Sequence, residues 1–335
     1  MGKVASVPGL IDLHLHLDGS ISPAIARRLA EIGNQELPAS EEELVSRLRV
    51  SPDCRDLNEY LARFDFPLSL LQTQEQISES VLLLQEELAE MGLLYAEIRF
   101  APQSMTAGGL TQEEAIDAAL DGLSRSSFHA GLILCAMRGE GNGDANEETF
   151  RLAARRLGKG VCGVDLAGAE AIWPTSSYEG LFAQARELGI PFTVHAGEAA
   201  GADSVATALD FGAKRLGHGV RCLEDPHVAE RVAASGTTLE VCPTSNIQTC
   251  VYPDYASCPL KKLARAGIAV CLNSDNMAVS GTDVQREHAL VGEALGMGLE
   301  DHLALELASV RAAFLPDEKK AELERQVRDA YAAMS

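Results

Sequence analysis

A chain of 335 residues, 46% hydrophobic and 23% charged, has the balance of an ordinary globular protein and enough length to bury a sizeable core. Its 28 Lys and Arg against 49 Asp and Glu leave a formal charge of −21, which repels phosphate backbones and anionic lipid and argues against nucleic-acid and membrane partners. No apolar run approaches the ~20 residues of a membrane helix, and residues 1–10 do not read as a secretory signal, so a cytoplasmic protein is expected.

The first apolar run, 10–16, reads as a strand. The segment 22–74 that follows is too long for one crossover and holds at least two helices. One of them carries Leu57, Tyr60, Leu61 and Phe64 at i, i+3, i+4 and i+7, and is expected to fold over the mouth of the sheet as an apolar lid. A helix at 75–91, with Ile77, Val81, Leu84 and Leu88 on one face, leads to a strand at 94–101. Helix 112–130, strand 132–137, helix 147–157, strand 163–166, helix 178–188 and strand 192–195 come next. Then follow helix 205–211, strand 215–218, helix 226–234, strand 238–242, helix 260–266, strand 269–273 and a closing helix after Pro316. Most strands are continuous apolar runs, as expected of parallel strands covered on both sides. Eight strand–helix units predict an α/β fold, a TIM-type (β/α)8 barrel with a helical insertion after strand 1, as one domain over 1–335. An open doubly wound sheet is the alternative.

None of the eight cysteines forms a Cys-x-x-Cys pair, and several lie inside apolar runs, so reduced thiols are expected rather than a disulfide framework. The glycine-rich stretch 139–143 lacks a following Lys-Ser/Thr and reads as a turn, not a phosphate loop. Ser204 and Ser245 lack the context of a nucleophile elbow.

Polar residues with chemical potential gather where strands end. His14 and His16 stand at i and i+2, on one strand face, and two imidazoles so placed suit zinc. His195 and Glu198 close strand five and offer a third ligand and a proton carrier. His218, between two glycines, closes strand six, and Asp275 follows strand eight as an oxygen ligand. Functional residues of a (β/α)8 barrel collect at these C-terminal ends.

In these motifs the sequence resembles the adenosine deaminase family of the metal-dependent amidohydrolase superfamily. The matching runs are 12–20 (DLHLHLDGS), 165–168 (DLAG), 195–198 (HAGE), 217–219 (GHG), 242–246 (CPTSN) and 274–275 (SD), in the family's order. The resemblance implies one zinc ion per chain, held by His14, His16, His195 and Asp275, and a purine nucleoside as substrate. It implies Glu198 as proton shuttle, His218 orienting the nucleophile, and Asp275 accepting a hydrogen bond from it. Asp18 would meet the ribose, the Gly168 backbone the purine edge, and Leu57, Tyr60, Leu61 and Phe64 would exclude water. The family often carries two aspartates in the last motif. Here the pair is Asp275-Asn276, as in a bacterial branch, with Asn276 placed to serve purine N7.

Rival readings are a two-metal amidohydrolase, a deaminase of another aminopurine nucleoside, and a binding protein on an inactive barrel. The first needs a bridging Lys after strand four, where this chain has Asp165-Leu166-Ala167-Gly168. The last needs a missing catalytic residue. The Pro-Cys-x-x-Cys motif of the small Cys/His zinc deaminases is absent.

Overall fold

A computed structural model describes residues 7–334. Its strands are β1 Ile11–His16, β2 Tyr95–Phe100, β3 Ala130–Met137, β4 Val161–Ala167, β5 His195–Ala196, β6 Arg215–His218, β7 Thr238–Val241 and β8 Ala269–Leu272. Each pairs in parallel with its sequence neighbour, giving a sheet β1–β4 and a sheet β5–β8. Parallel bridges join the sheets at both seams, Val164 with Phe192 and Leu15 with Asp275. The second seam is held by His16 N–H on Asp275 O at 2.7 Å and Asp275 N–H on His14 O at 2.8 Å. Eight parallel strands in chain order, bridged at both seams, make the (β/α)8 architecture.

The strand runs that read as uniformly apolar conceal an alternation. Asp12, His14, Glu97, Arg99, Asp165, Arg215 and Glu240 are fully buried and meet one another inside the barrel. The residues between them, such as Leu13, Leu15, Ile98, Phe100, Leu239 and Val241, join the apolar layer under the helices. Arg99 spans Asp165 and Glu240, each at 2.9 Å. Arg215 spans Glu97 at 2.5 Å and Glu240 at 2.6 Å, and its guanidinium lies 3.9 Å from the Phe314 ring centroid. Buried charges persist only when paired in this way.

Several elements are shorter than the sequence suggests, among them the helix expected to carry Leu57, Tyr60, Leu61 and Phe64, which ends at Leu61 and leaves Phe64 as the N-cap of the next helix. Strand five is His195–Ala196 alone. It is preceded by Pro191, which has no N–H to give to a ladder, and Phe192 makes only an isolated bridge. The helix expected over 112–130 ends at Arg125, where Ser126 turns extended and its hydroxyl accepts from Phe128 N–H.

The insertion after β1 forms four helices, Pro23–Gly33, Glu41–Leu48, Leu57–Leu61 and Asp65–Ser69. Ser22, Ser40 and Asp56 cap the first three by accepting N–H bonds from the first turn. Two helices near the C-terminus, Val284–Leu295 and Leu299–Ala312, are absent from the sequence reading. The second packs on β8 and β1. The closing helix is Asp317–Ala332. All eight cysteines are free thiols, and no helix among the described residues is long and apolar enough to cross a membrane.

Candidate metal and catalytic site

At the C-terminal ends of the strands, one donor atom each from His14, His16, His195 and Asp275 lies within 4.8 Å of the others. Alternation along β1 puts both of its histidines on the inner face. Gly217 on β6 makes room, since a Cβ there would lie 2.9 Å from His14 Cε1 and 3.2 Å from the His195 Cα. His16 Nε2 and His195 Nε2 are 3.3 Å apart. Asp275 Oδ1 stands 3.5 Å from His14 Nε2 and 3.4 Å from His16 Nε2.

The outer nitrogens of two of these rings rest on carboxylates. His14 Nδ1 meets Glu240 Oε2 at 2.7 Å, and His195 Nδ1 lies 2.9 Å from Asp165 Oδ2. A proton on each outer nitrogen leaves the inner lone pair facing the cluster, the arrangement of metal-bound imidazoles. His14 Nε2 is buried and has no hydrogen-bond partner, as a ligand nitrogen awaiting a cation would be. Burial pushes the His16 imidazole well below its ordinary pKa, toward the neutral form a metal requires. Burial would push the Asp275 carboxyl up, but the adjacent His14 ring and the other nearby imidazoles hold it well below the usual range. A second group, His14, His218, Cys242 and Asp275, is equally compact. It suits a cation less well: burial holds the Cys242 thiol protonated, and it donates to Glu240 O at 3.4 Å.

Beside the cluster opens a cavity of about 1050 Å³, counting the space at its mouth. His16, Asp18, Gly168, His195, Glu198, His218, Asp275 and Asn276 line it, with Leu57, Tyr60, Leu61 and Phe64 on the insertion side. His14 lies behind this surface, fully buried. The apolar group from the insertion packs on Val279, and Tyr60 hydroxyl bonds Ser280 at 2.6 Å, which ties the insertion to the loop after β8. Asp18 Oδ1 is buried without a partner, and burial raises its carboxyl to about 6.

Glu198 is 4% exposed, and its Oε2 is 3.6 Å from His218 Nε2. Burial, then the charges of Asp275 and Glu170, push its carboxyl well above the usual range, the direction that favours its protonated form. His218, at φ +60°, is driven by burial down to about 3 and is neutral. Asn246 Nδ2 donates to its Nδ1 at 3.0 Å, which leaves the ring proton on Nε2, facing Glu198 and the cavity.

The sequence model of the adenosine deaminase family matches residues 9–330. The chain belongs to the adenosine deaminase family. It is 47% identical over 332 residues to an adenosine deaminase of Haemophilus ducreyi, covering 96% of each chain. Among solved structures it resembles an adenine deaminase of Arthrobacter aurescens, with a TM-score of 0.88, 30% identity, and 96% of this chain and 98% of that one covered. It also resembles an Arabidopsis N6-mAMP deaminase, with a TM-score of 0.85, 26% identity, and coverage of 98% and 100%.

Within this deaminase framework, several neighbours of the site went unread in the sequence. Arg99 and Glu240 position both ring-bearing carboxylate contacts, and Asn246 sets the His218 tautomer. Asp12 accepts from His14 N–H at 3.1 Å and from Ser274 N–H at 3.2 Å, bracing the β1–β8 seam. A charged residue inside a strand covered on both faces was the available signal for Arg99 and Glu240. Asn276 lines the cavity, yet its amide donates to Asp275 Oδ1 at 2.6 Å and its Oδ1 is unpartnered. One amide hydrogen is thus committed to the Asp275 carboxylate, and one remains.

Proposed function

We propose that this chain hydrolyses adenosine and 2′-deoxyadenosine to inosine and 2′-deoxyinosine with release of ammonia, using one zinc ion held by His14, His16, His195 and Asp275. The observation that carries the reading is the convergence of those four donors beside Glu198 and His218 in one cavity. Near-full-length identity of 47% to an adenosine deaminase supports the substrate class. Three imidazoles and a carboxylate oxygen, with the outer nitrogens of His14 and His195 facing Glu240 and Asp165, suit zinc. A bound zinc ion supplies Lewis-acid activation of water, lowering its pKa from about 15.7 toward ~7.

The chain's own groups do the rest. Glu198, kept protonated by burial, gives its proton to purine N1, which weakens the ring's aromaticity and exposes C6 to attack by water. The resulting carboxylate takes up a proton from the attacking water and delivers it to the departing amino group, and the second water proton, lost from the C6 hydroxyl as ammonia leaves, restores the Glu198 acid. A positioned acid–base group of this kind contributes typically ~10²–10⁴ in rate. His218 directs its Nε2 proton at the incoming oxygen, and Asp275 stays ionised to accept from that oxygen. The unpartnered Asp18 Oδ1 is available to a ribose hydroxyl, and the Gly168 backbone to the purine edge. Asn276 offers its remaining amide hydrogen to N7. Leu57, Tyr60, Leu61 and Phe64 keep bulk water from the reacting atoms.

The chain is read as one catalytic domain in the cytoplasm, with a small purine nucleoside as its partner. Purified protein assayed for ammonia release on adenosine, 2′-deoxyadenosine, adenine and adenosine monophosphate, alongside metal analysis, tests the reading. Nucleosides should be the best substrates, with about one zinc per chain. Turnover confined to adenine or to the nucleotide, or two metals per chain, would overturn it.

A further inference from the structure

Glu170, in the loop after β4, is 2% exposed. Its carboxylate is enclosed by donors from the turn after β5. Oε1 accepts from Gly197 N–H at 2.7 Å and Ser204 hydroxyl at 2.5 Å. Oε2 accepts from the N–H groups of Glu198 at 3.0 Å, Ala199 at 2.7 Å and Ala200 at 2.9 Å. Four consecutive amides converging on an anion form the concave nest that proteins use to bind phosphates. In this molecule the nest is filled by a side chain from the neighbouring strand's loop. Gly197 permits the turn: its φ is +77°, and a Cβ there would lie 2.5 Å from Val205 Cγ2.

The flanks of the turn are pinned as well. Arg138 Nη2 donates to His195 O at 2.6 Å, and Arg221 Nε donates to Glu198 O at 2.7 Å. Arg138 Nη2 also donates to Thr175 hydroxyl at 3.0 Å, which bonds Ser204 hydroxyl at 2.7 Å, closing the network on Glu170. Both the N–H and the C=O of Glu198 are therefore fixed by side chains from outside its own turn.

We propose that Glu170 is a positioning residue for deamination, holding the 197–200 turn so that the Glu198 carboxyl meets its substrate at one place. The inference rests on the reading of Glu198 as proton carrier. Glu170 makes no contact with the four metal-donor side chains in the hydrogen bonds above, so its loss should spare zinc and substrate affinity and strike the chemical step. A displacement of about 1 Å at a reacting group costs on the order of 10²-fold in rate.

The test compares Glu170→Ala and Glu170→Gln in the zinc-loaded enzyme. Gln keeps the shape and one acceptor oxygen but turns an NH2 toward donors. Glu170→Ala should lower kcat on the order of 10²-fold, with KM and zinc content unchanged, and Glu170→Gln should recover part of the loss. Combined with Glu198→Asp, which keeps a carboxyl and a measurable single-turnover rate, Glu170→Ala should cost less than it does alone, because the effect passes through Glu198. Unchanged kcat, a loss carried by KM or zinc content, additive losses, or a Glu170→Gln protein that does not fold would each overturn the proposal. An active Glu198→Gln enzyme would sink the underlying reading. An inactive Glu198→Gln beside a fully active Glu170→Ala would sink this proposal alone.

Discussion

Replacing Glu240 by Gln removes one negative charge from the point where three donors meet. Its Oε2 faces His14 Nδ1 at 2.7 Å and Arg99 Nη2 at 2.9 Å, and its Oε1 faces Arg215 Nε at 2.6 Å. Burial would push this carboxyl up, but Arg99 and Arg215 hold it well below the usual range, so the wild-type group is charged at any working pH. A Gln has one acceptor oxygen. If that oxygen keeps His14 and Arg99, its NH2 confronts the Arg215 Nε–H. If it keeps Arg215, the NH2 confronts His14 and Arg99. Breaking a buried ion pair costs ~3–5 kcal/mol, and because Arg99 keeps Asp165 and Arg215 keeps Glu97 the expected loss of stability lies toward the lower figure. In the second case His14 loses the contact that fixes its tautomer, and in the first it keeps only a neutral amide oxygen in place of a carboxylate. Loss of such an outer contact typically weakens metal affinity about 10–100-fold, which is ~1.4–2.7 kcal/mol. Denaturant unfolding with and without saturating zinc measures the first quantity, and competition with a chromophoric chelator measures the second. Wild-type unfolding midpoint together with wild-type zinc affinity in Glu240→Gln would refute the reasoning that this carboxylate both neutralises two guanidiniums and aims His14.

Four further outcomes are expected. Glu198→Gln should abolish turnover while metal analysis still finds zinc, because an amide cannot carry the proton; near-normal turnover would defeat the assignment. Asp18→Ala should lower kcat/KM on adenosine more than on adenine, if adenine is turned over at all, and equal losses on both would count against a ribose contact. Asn276→Leu should cost ~1–3 kcal/mol of transition-state binding on adenosine and far less on its 7-deaza analogue, measured as the ratio of kcat/KM values; equal losses would mean that Asn276 only braces Asp275. Away from the site, burial raises the Glu287 carboxyl from 4.5 to about 7. Its folded state holds a proton that the unfolded chain releases earlier, so stability from this group is present below about 4.5, declines as pH rises, and is lost above about 7. Glu287→Gln should therefore gain stability relative to wild type by about 3 kcal/mol across that window, read from unfolding midpoints at several pH values, and a gap independent of pH would exclude the idea.

The motif residues were legible because strand-end chemistry is written locally. His14 and His16 share a face by alternation alone, and His195, Glu198, His218 and Asp275 each end a strand or follow one closely. The eight-strand count was legible from recurring apolar runs, and the insertion from its excess length. The interior network was not, because each of its members looks like a single interruption of an apolar run. Arg99 reaches Asp165 across 66 residues and Glu240 across 141, and only closure of the barrel brings those strands together. Glu170 was hidden for a related reason: all but one of its partners are backbone amides, which leave no trace in side-chain identity. Strand five was overextended because apolar character at Phe192 and Val194 reports burial as readily as pairing.

The ionic interior of the barrel also sets how this protein can be altered by selection. Substituting Arg99, Arg215, Glu97 or Glu240 one at a time strands a charge in the core, so single steps lead downhill. Replacing the group together with aliphatic residues of matched volume would be neutral or stabilising as far as folding is concerned. A library screened only for heat resistance can therefore drift toward a greasy barrel that survives boiling and has lost the carboxylates behind His14 and His195. Stabilising this scaffold without disarming it means leaving the lumen alone and working on the outer helices and their connections, where no path leads back to the imidazoles.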